Sequence, residues 1–276
     1  MSKLLKPMKP KEIASTEAIS KFPVFVQPKL DGWRCLAEIT KEHGARLFSS
    51  TLRQLNSVPH LNYALNSSGF IGVLDGELIH PEGFQTTVSI VSRTRNVHQR
   101  YREVKLYVFD IQAQIPFRVR NDALNSLCTV FNEHVVRVPT YIATDRADVD
   151  RYYRQFLEEG YEGIIIRFPD EFYKPGKTKA ILKMKPTKVM EAKVIGWIEE
   201  VDKYGDPKGR VGSLICETPD GVVFQAGSGL TEQEKTVLTI DVANIKKYKA
   251  KIKYQELTRD GVPRFPRVME VKRYER

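Results

Sequence analysis

Lys29-Leu30-Asp31-Gly32-Trp33-Arg34 is the run on which the reading of this chain turns. Before it, Phe22-Pro23-Val24-Phe25-Val26-Gln27 has the apolar, β-branched character of a buried strand. Asp31-Gly32 is a turn signal that lets the backbone double back, and Cys35-Leu36-Ala37 opens a second strand. The pattern predicts that Arg34 returns beside Lys29. A cationic neighbour and a dry setting both favour the neutral, nucleophilic form of a lysine amine. Taken alone, these six residues also fit an ordinary hairpin with surface charges.

Composition narrows the field. The chain has 276 residues, 41% hydrophobic and 28% charged, as expected of a globular protein with room for one large core or two smaller ones. No apolar run is long enough to cross a bilayer, so a cytoplasmic location without membrane contact is expected. Cys35, Cys128 and Cys216 are far apart and read as small core residues rather than as a disulfide or zinc framework. The net charge of +10 favours a polyanionic partner. Lys174, Lys177, Lys179, Lys183, Lys185 and Lys188 crowd one segment around Pro175-Gly176, which reads as a loop entering a strand, with its lysines converging on phosphates.

Strand-like segments are expected at 22–28, 34–40, 70–79, 104–111, 162–168 and 180–186, after a Lys/Pro-rich lead with one short helix. Helical spacing of apolar residues stands out at about 121–133 and 148–159. Beyond Pro186-Thr187-Lys188 strands dominate. Asp220-Gly221 marks a hairpin there, and Thr231 with Glu234 forms a capping-box signature for one short helix.

Four further runs follow the first: Leu74-Asp75-Gly76-Glu77-Leu78, Tyr107-Val108-Phe109-Asp110, Glu162-Gly163-Ile164-Ile165-Ile166-Arg167 and Leu182-Lys183-Met184-Lys185. Each is short, but five in fixed order over nearly the whole chain form a specific set. In this order they resemble the covalent nucleotidyltransferases, and among them the ATP-dependent DNA ligases. The resemblance implies an α+β fold. A nucleotidyltransferase (adenylation) domain with antiparallel sheets, residues 1–188, precedes a C-terminal OB-fold β-barrel, residues 189–276.

It also implies roles. Lys29 is the nucleophile that takes AMP from ATP. Gln27, Arg34, Glu77, Phe109, Lys183 and Lys185 are nucleotide contacts, with Glu77 toward the ribose and Phe109 stacked on the purine opposite Ile164 or Ile166. Glu77 and Glu162 are the candidate ligands for Mg²⁺, which prefers oxygen. Lys183 and Lys185, two apart on a strand, share one face and can stabilise the phosphate as charge builds.

Two stretches depart from the family. Where ligases carry a Ser-Arg pair that grips the nick phosphate, Phe48-Ser49-Ser50-Thr51-Leu52-Arg53 has Ser50 at the arginine position, with Arg53 as a possible substitute. The basic tail lacks the usual aspartate, leaving Lys272 or Arg273 to orient pyrophosphate. Arg53, Lys174, Lys177, Lys272 and Arg273 are the expected contacts to DNA. The implied partner is nicked duplex DNA, bound by a monomer in a bacterial or phage-infected cytoplasm. An RNA ligase of the same superfamily and a non-catalytic nucleic-acid-binding protein are the alternatives. Arg264-Phe265-Pro266 favours the DNA-joining members.

Overall fold

The computed structural model describes residues 4–258 and 260–274. They divide into two compact units, 1–185 and 186–276, so that residues 186–188 fall with the second. The fold is α+β and dominated by sheets.

The first unit runs β1 (Met8–Glu12), β2 (Val24–Lys29), β3 (Trp33–Thr40), β4 (Gly44–Ser49), β5 (Gln54–Leu55), α1 (Pro59–Asn66), β6 (Gly72–Ile79), α2 (Phe84–Val91), β7 (Lys105–Ile111), α3 (Phe117–Leu127), β8 (Val135–Arg137), β9 (Tyr141–Ala143), α4 (Arg146–Glu158), β10 (Gly163–Arg167) and β11 (Gly176–Met184). They form two sheets, ordered β1-β11-β10-β2-β9 and β5-β4-β3-β6-β7-β8. Pairing is antiparallel except for β1 with β11 and β7 with β8.

Each sheet buries its back. Val24, Val26, Ile164, Ile166, Leu182 and Met184 pack with Val149 and Phe156 of α4. Cys35, Ala37, Leu74, Leu78, Leu106 and Val108 pack with α1, α2 and Leu124 of α3. Side chains alternate across a strand, so the residues between these point to the opposite face. Hydrogen bonds bridge the two sheets there, as from Gln27 Nε2 to the Phe109 carbonyl (3.2 Å).

Lys29–Arg34 is not a hairpin within one sheet. β2 and β3 lie in different sheets, and the run is the crossover between them. Gly32 explains the route: a Cβ there would lie 2.5 Å from the Leu78 carbonyl and 2.7 Å from Glu77 Cγ. Only glycine lets the chain pass this close to β6, after which Trp33 pairs with Leu78.

Other local expectations shift. The lead contains strand β1, and its helix is a 3₁₀ turn at Thr16–Ala18. The helix expected at 121–133 begins earlier, at Phe117, and gives way to a 3₁₀ turn at Cys128–Val130. Cys128 is accordingly exposed, while Cys35 and Cys216 are buried.

In the second unit, β12 (Lys188–Val201), β13 (Pro207–Glu217), β14 (Val223–Ala226), β15 (Tyr248–Tyr254) and β16 (Arg267–Arg273) make one antiparallel sheet, ordered β14-β13-β12-β15-β16. A bridge between Ser228 and Arg267 brings the two edges together, as barrel closure requires. Gly221, at φ +83°, makes the turn from β13 to β14. Thr231 and Glu234 cap α5 (Glu232–Ile240) reciprocally, the Glu234 amide donating to Thr231 Oγ1 and the Thr231 amide to Glu234 Oε2. Among the described residues, no helix is long and apolar enough to cross a membrane.

Candidate active site

A cleft of about 290 Å³ opens between the two sheets of the first unit. Strand register assembles one wall. Ile165 on β10 is paired with Gln27 on β2 and with Lys183 on β11, and Gly163 with Lys29. This row faces the cleft because its neighbours in sequence, Ile164, Ile166, Leu182 and Met184, are committed to the core. Ile165 therefore lines the cleft, not Ile164 or Ile166. Gly163 is required where β11 comes close: its φ is +154°, and a Cβ would meet the Met184 carbonyl at 2.3 Å.

Lys29, at the end of β2, is mostly buried, and its Nζ is in contact with Glu162 Oε2. Lys185 Nζ lies 3.5 Å from the other Glu162 oxygen. The charged group touching the nucleophile candidate is therefore a carboxylate rather than the arginine expected from the sequence. Arg34 is drawn away by Asp75, donating from Nε and Nη2 at 2.7 and 2.8 Å. Burial works against the Arg34 charge, but the Asp75 carboxylate outweighs it and raises the pKa. Tyr173 adds a hydrogen bond to Asp75 (2.6 Å).

The opposite wall comes from β6 and β7. Glu77 lines the cleft, and burial pushes its carboxyl up to about 7 despite the lowering pull of Arg34 and Lys29. Phe109 stands at a bulge, since Asp75 pairs with Asp110 but Gly76 pairs with Val108. Two guanidinium groups approach its ring, with Arg34 4.6 Å and Arg167 5.5 Å from the ring centre.

Behind Phe109 lies a buried network that the sequence did not disclose. Asp110 accepts from Arg120 (2.6 Å) and Arg167 (2.7 Å), and Arg167 also donates to Gln27 Oε1 (2.7 Å). Asp110 thus anchors two buried arginines. Gln27 is fully engaged, its amide donating to the Phe109 carbonyl and to Thr140 Oγ1. The separate runs around Asp110 and Arg167 contain the residues, but only the sheet-to-sheet packing makes them partners.

The remaining sequence candidates disperse. Lys183 lines the cleft and pairs with Glu12 (3.3 Å). Lys174 and Lys179 border a different depression, beside Phe168 and Asp170, and Lys174 pairs with Glu171 (2.5 Å). Lys177 is exposed on β11. Ser50 lines the cleft, while Arg53, three residues on, is exposed. Lys272 and Arg273 belong to β16 of the second unit, paired with Glu270 (2.9 Å) and Asp241 (3.3 Å).

The described residues hold no cluster of three potential metal ligands. Glu77 and Glu162 alone would not enclose Mg²⁺. They do fit its usual habit of taking one or two carboxylates and completing its shell with water and substrate phosphates.

An amine at a strand end with a carboxylate touching it, and an aromatic and a second carboxylate at the same cleft, are the groups that nucleotidyl transfer calls for. Residues 7–185 match the model of the ATP-dependent DNA ligase domain, and 204–272 that of the DNA ligase OB-like domain. The chain belongs to the ATP-dependent DNA ligase family.

It is 27% identical to the DNA ligase of Methanococcus aeolicus, over 79% of this chain and 42% of that protein. It is 26% identical to the DNA ligase of Methanococcus maripaludis, over 98% of this chain and 57% of that one. The chain thus spans about half the length of these relatives. Among solved structures, a Lig E DNA ligase described as binding DNA with a minimal scaffold superposes with a TM-score of 0.79 and 25% identity, covering 96% of this chain and 99% of that one. Chlorella virus DNA ligase-adenylate gives a TM-score of 0.56 and 25% identity, covering 99% of each.

Proposed function

We propose that this chain is an ATP-dependent DNA ligase that seals 5′-phosphate/3′-hydroxyl nicks in duplex DNA through a lysyl-AMP intermediate. The observation that carries this is the Lys29 amine at the cleft, held by Glu162. In the first step Nζ attacks the α-phosphorus of ATP. Glu162, which already touches Nζ, takes one proton to free the amine lone pair; a P–N bond forms, the P–O bond to pyrophosphate breaks, and the second proton shed by the nitrogen leaves with the pyrophosphate. Activating a phosphate as a phosphoramidate stores it for a second acceptor. The nick's 5′-phosphate then displaces Lys29 from the adenylate, and the 3′-hydroxyl displaces AMP.

Glu77 receives the ribose hydroxyls, and the Phe109 ring offers the purine an apolar face. Lys183 and Lys185 supply positive charge toward the transferring phosphate. Glu162 would hold Mg²⁺, which when bound would supply positive charge against the phosphate in transfer. The matches in both halves of the chain support DNA rather than RNA as the polymer.

Intact mass after incubation with ATP and Mg²⁺ tests the reading. One added AMP, discharged by nicked duplex DNA, is expected. An unchanged mass rejects covalent catalysis. Adenylated protein discharged only by nicked RNA assigns the chain to RNA joining.

A further inference from the structure

The cations lining the cleft are not equivalent. Lys29 is matched by Glu162, Arg34 by Asp75, Arg167 by Asp110 and Lys183 by Glu12. Each is already engaged by a carboxylate of the protein. Lys9 is the exception: it lines the same cleft, is exposed, and has no carboxylate within ion-pair reach among the described residues.

Its position is nevertheless built. Lys9 follows Met8 on β1, and both polar groups of the Met8 backbone are clamped. The Met8 amide donates to Tyr173 Oη (3.3 Å), and its carbonyl accepts from Arg34 Nη2 (3.2 Å). Tyr173 and Arg34 in turn both bind Asp75. The network that fixes Arg34 therefore also fixes the strand from which Lys9 projects. Across the rim the β4–β5 turn contributes Ser50, which carries no charge.

We infer that Lys9 binds the acceptor phosphate, the 5′-phosphate to which the nucleotide is handed on. This rests on the ligase reading above. An exposed amine at the rim can meet a phosphate carried by a polymer, which the ion-paired cations can meet only by giving up contacts to their own carboxylates. In the step concerned, an acceptor-phosphate oxygen attacks the adenylate phosphorus. A P–O bond forms, the P–N bond to Lys29 breaks, and Nζ of Lys29 recovers a proton. Lys9 offsets the repulsion between the two phosphates as they approach, by a charge-assisted hydrogen bond.

The test separates charging from discharge in single-turnover experiments on the full chain. Charging uses ATP labelled at the α-phosphate. Discharge uses the labelled protein with a nicked duplex bearing a 5′-phosphate. For Lys9→Met, discharge should slow about tenfold more than charging, the loss expected for one charge-assisted contact. Lys9→Arg should recover most of the loss. The log–log salt slope for binding the nick should fall by about one, as for one lost phosphate contact. Discharge at the wild-type rate, or equal slowing of both steps, overturns the inference. Wild-type protein that takes up no label overturns the ligase reading instead.

Discussion

Replacing Glu77 with glutamine separates what this residue does for the fold from what it does for nucleotide. Burial between β3, β6 and the Lys29–Arg34 crossover raises its carboxyl from the usual 4.5 to about 7. Between those values the native carboxyl keeps a proton that the unfolded chain has released. Unfolding therefore releases protons, and the native state loses stability as pH rises through this window. Above pH 7 the loss is complete. Each pH unit of separation is worth about 1.4 kcal/mol, which sets a ceiling of about 3 kcal/mol. Glu77 is only partly buried, so solvent in the cleft lowers this to about 1–2 kcal/mol.

Glutamine keeps the shape and never ionises. In urea denaturation of nucleotide-free protein, the advantage of Glu77→Gln over wild type should grow by about 1–2 kcal/mol between pH 5 and pH 8.5. The same variant should bind ATP less tightly, since its side chain cannot offer the ribose a charged acceptor. A stability difference that is flat with pH, or that shrinks as pH rises, refutes a strained native carboxylate at this position.

Three further outcomes are expected. Lys29→Ala should abolish covalent AMP while leaving the far-UV spectrum and cooperative melting in place, and label retained by that variant would mean that another side chain is the nucleophile. Asp110→Asn should cost about 3–5 kcal/mol in a urea titration, because it strips the counter-charge from buried Arg120 and Arg167; a loss under about 1 kcal/mol would show that those guanidinium groups reach water. Under native conditions at neutral pH a thiol reagent should modify Cys128 alone, since Cys35 and Cys216 are buried and burial pushes their thiols up, that of Cys216 to about 12. Modification of all three without unfolding would contradict the cores as described.

The sequence was most legible where a pattern is local. The strand before Lys29, the Asp220-Gly221 turn and the Thr231/Glu234 capping box depend on neighbours within a few residues, and each forms as read. Legibility failed where the deciding contact is distant. Nothing near Arg34 in sequence reveals that Asp75, forty-one positions on, takes its charge. Nothing near Gly32 reveals that β6 will press on it, turning an expected hairpin into a crossover. The lysines around Pro175 looked alike because charge density carries no direction. Lys183 lines the cleft, whereas Lys174, ahead of β11, and Lys179 border another depression.

The same distinction applies to the N-terminal lead, which forms a strand where its sequence predicts none. Met8-Lys9-Pro10-Lys11-Glu12 has little apolar character and no helical or strand period. It becomes a strand because β11 offers an unpaired edge and because Tyr173 and Arg34 hold the Met8 peptide. Tertiary partners, not propensity, decide such a segment. Arg34 is bound to Asp75, and Asp75 to Tyr173, so truncating Tyr173 to phenylalanine reaches both ends of the chain of contacts. It removes one hydrogen bond from a buried carboxylate, a loss of about 1–3 kcal/mol, and it frees the amide side of Met8. If Lys9 works as inferred, Tyr173→Phe must slow discharge to the nick more than charging, although Tyr173 itself does not line the cleft. A variant that is destabilised but discharges normally would uncouple β1 from the acceptor step and leave the network with a purely structural role.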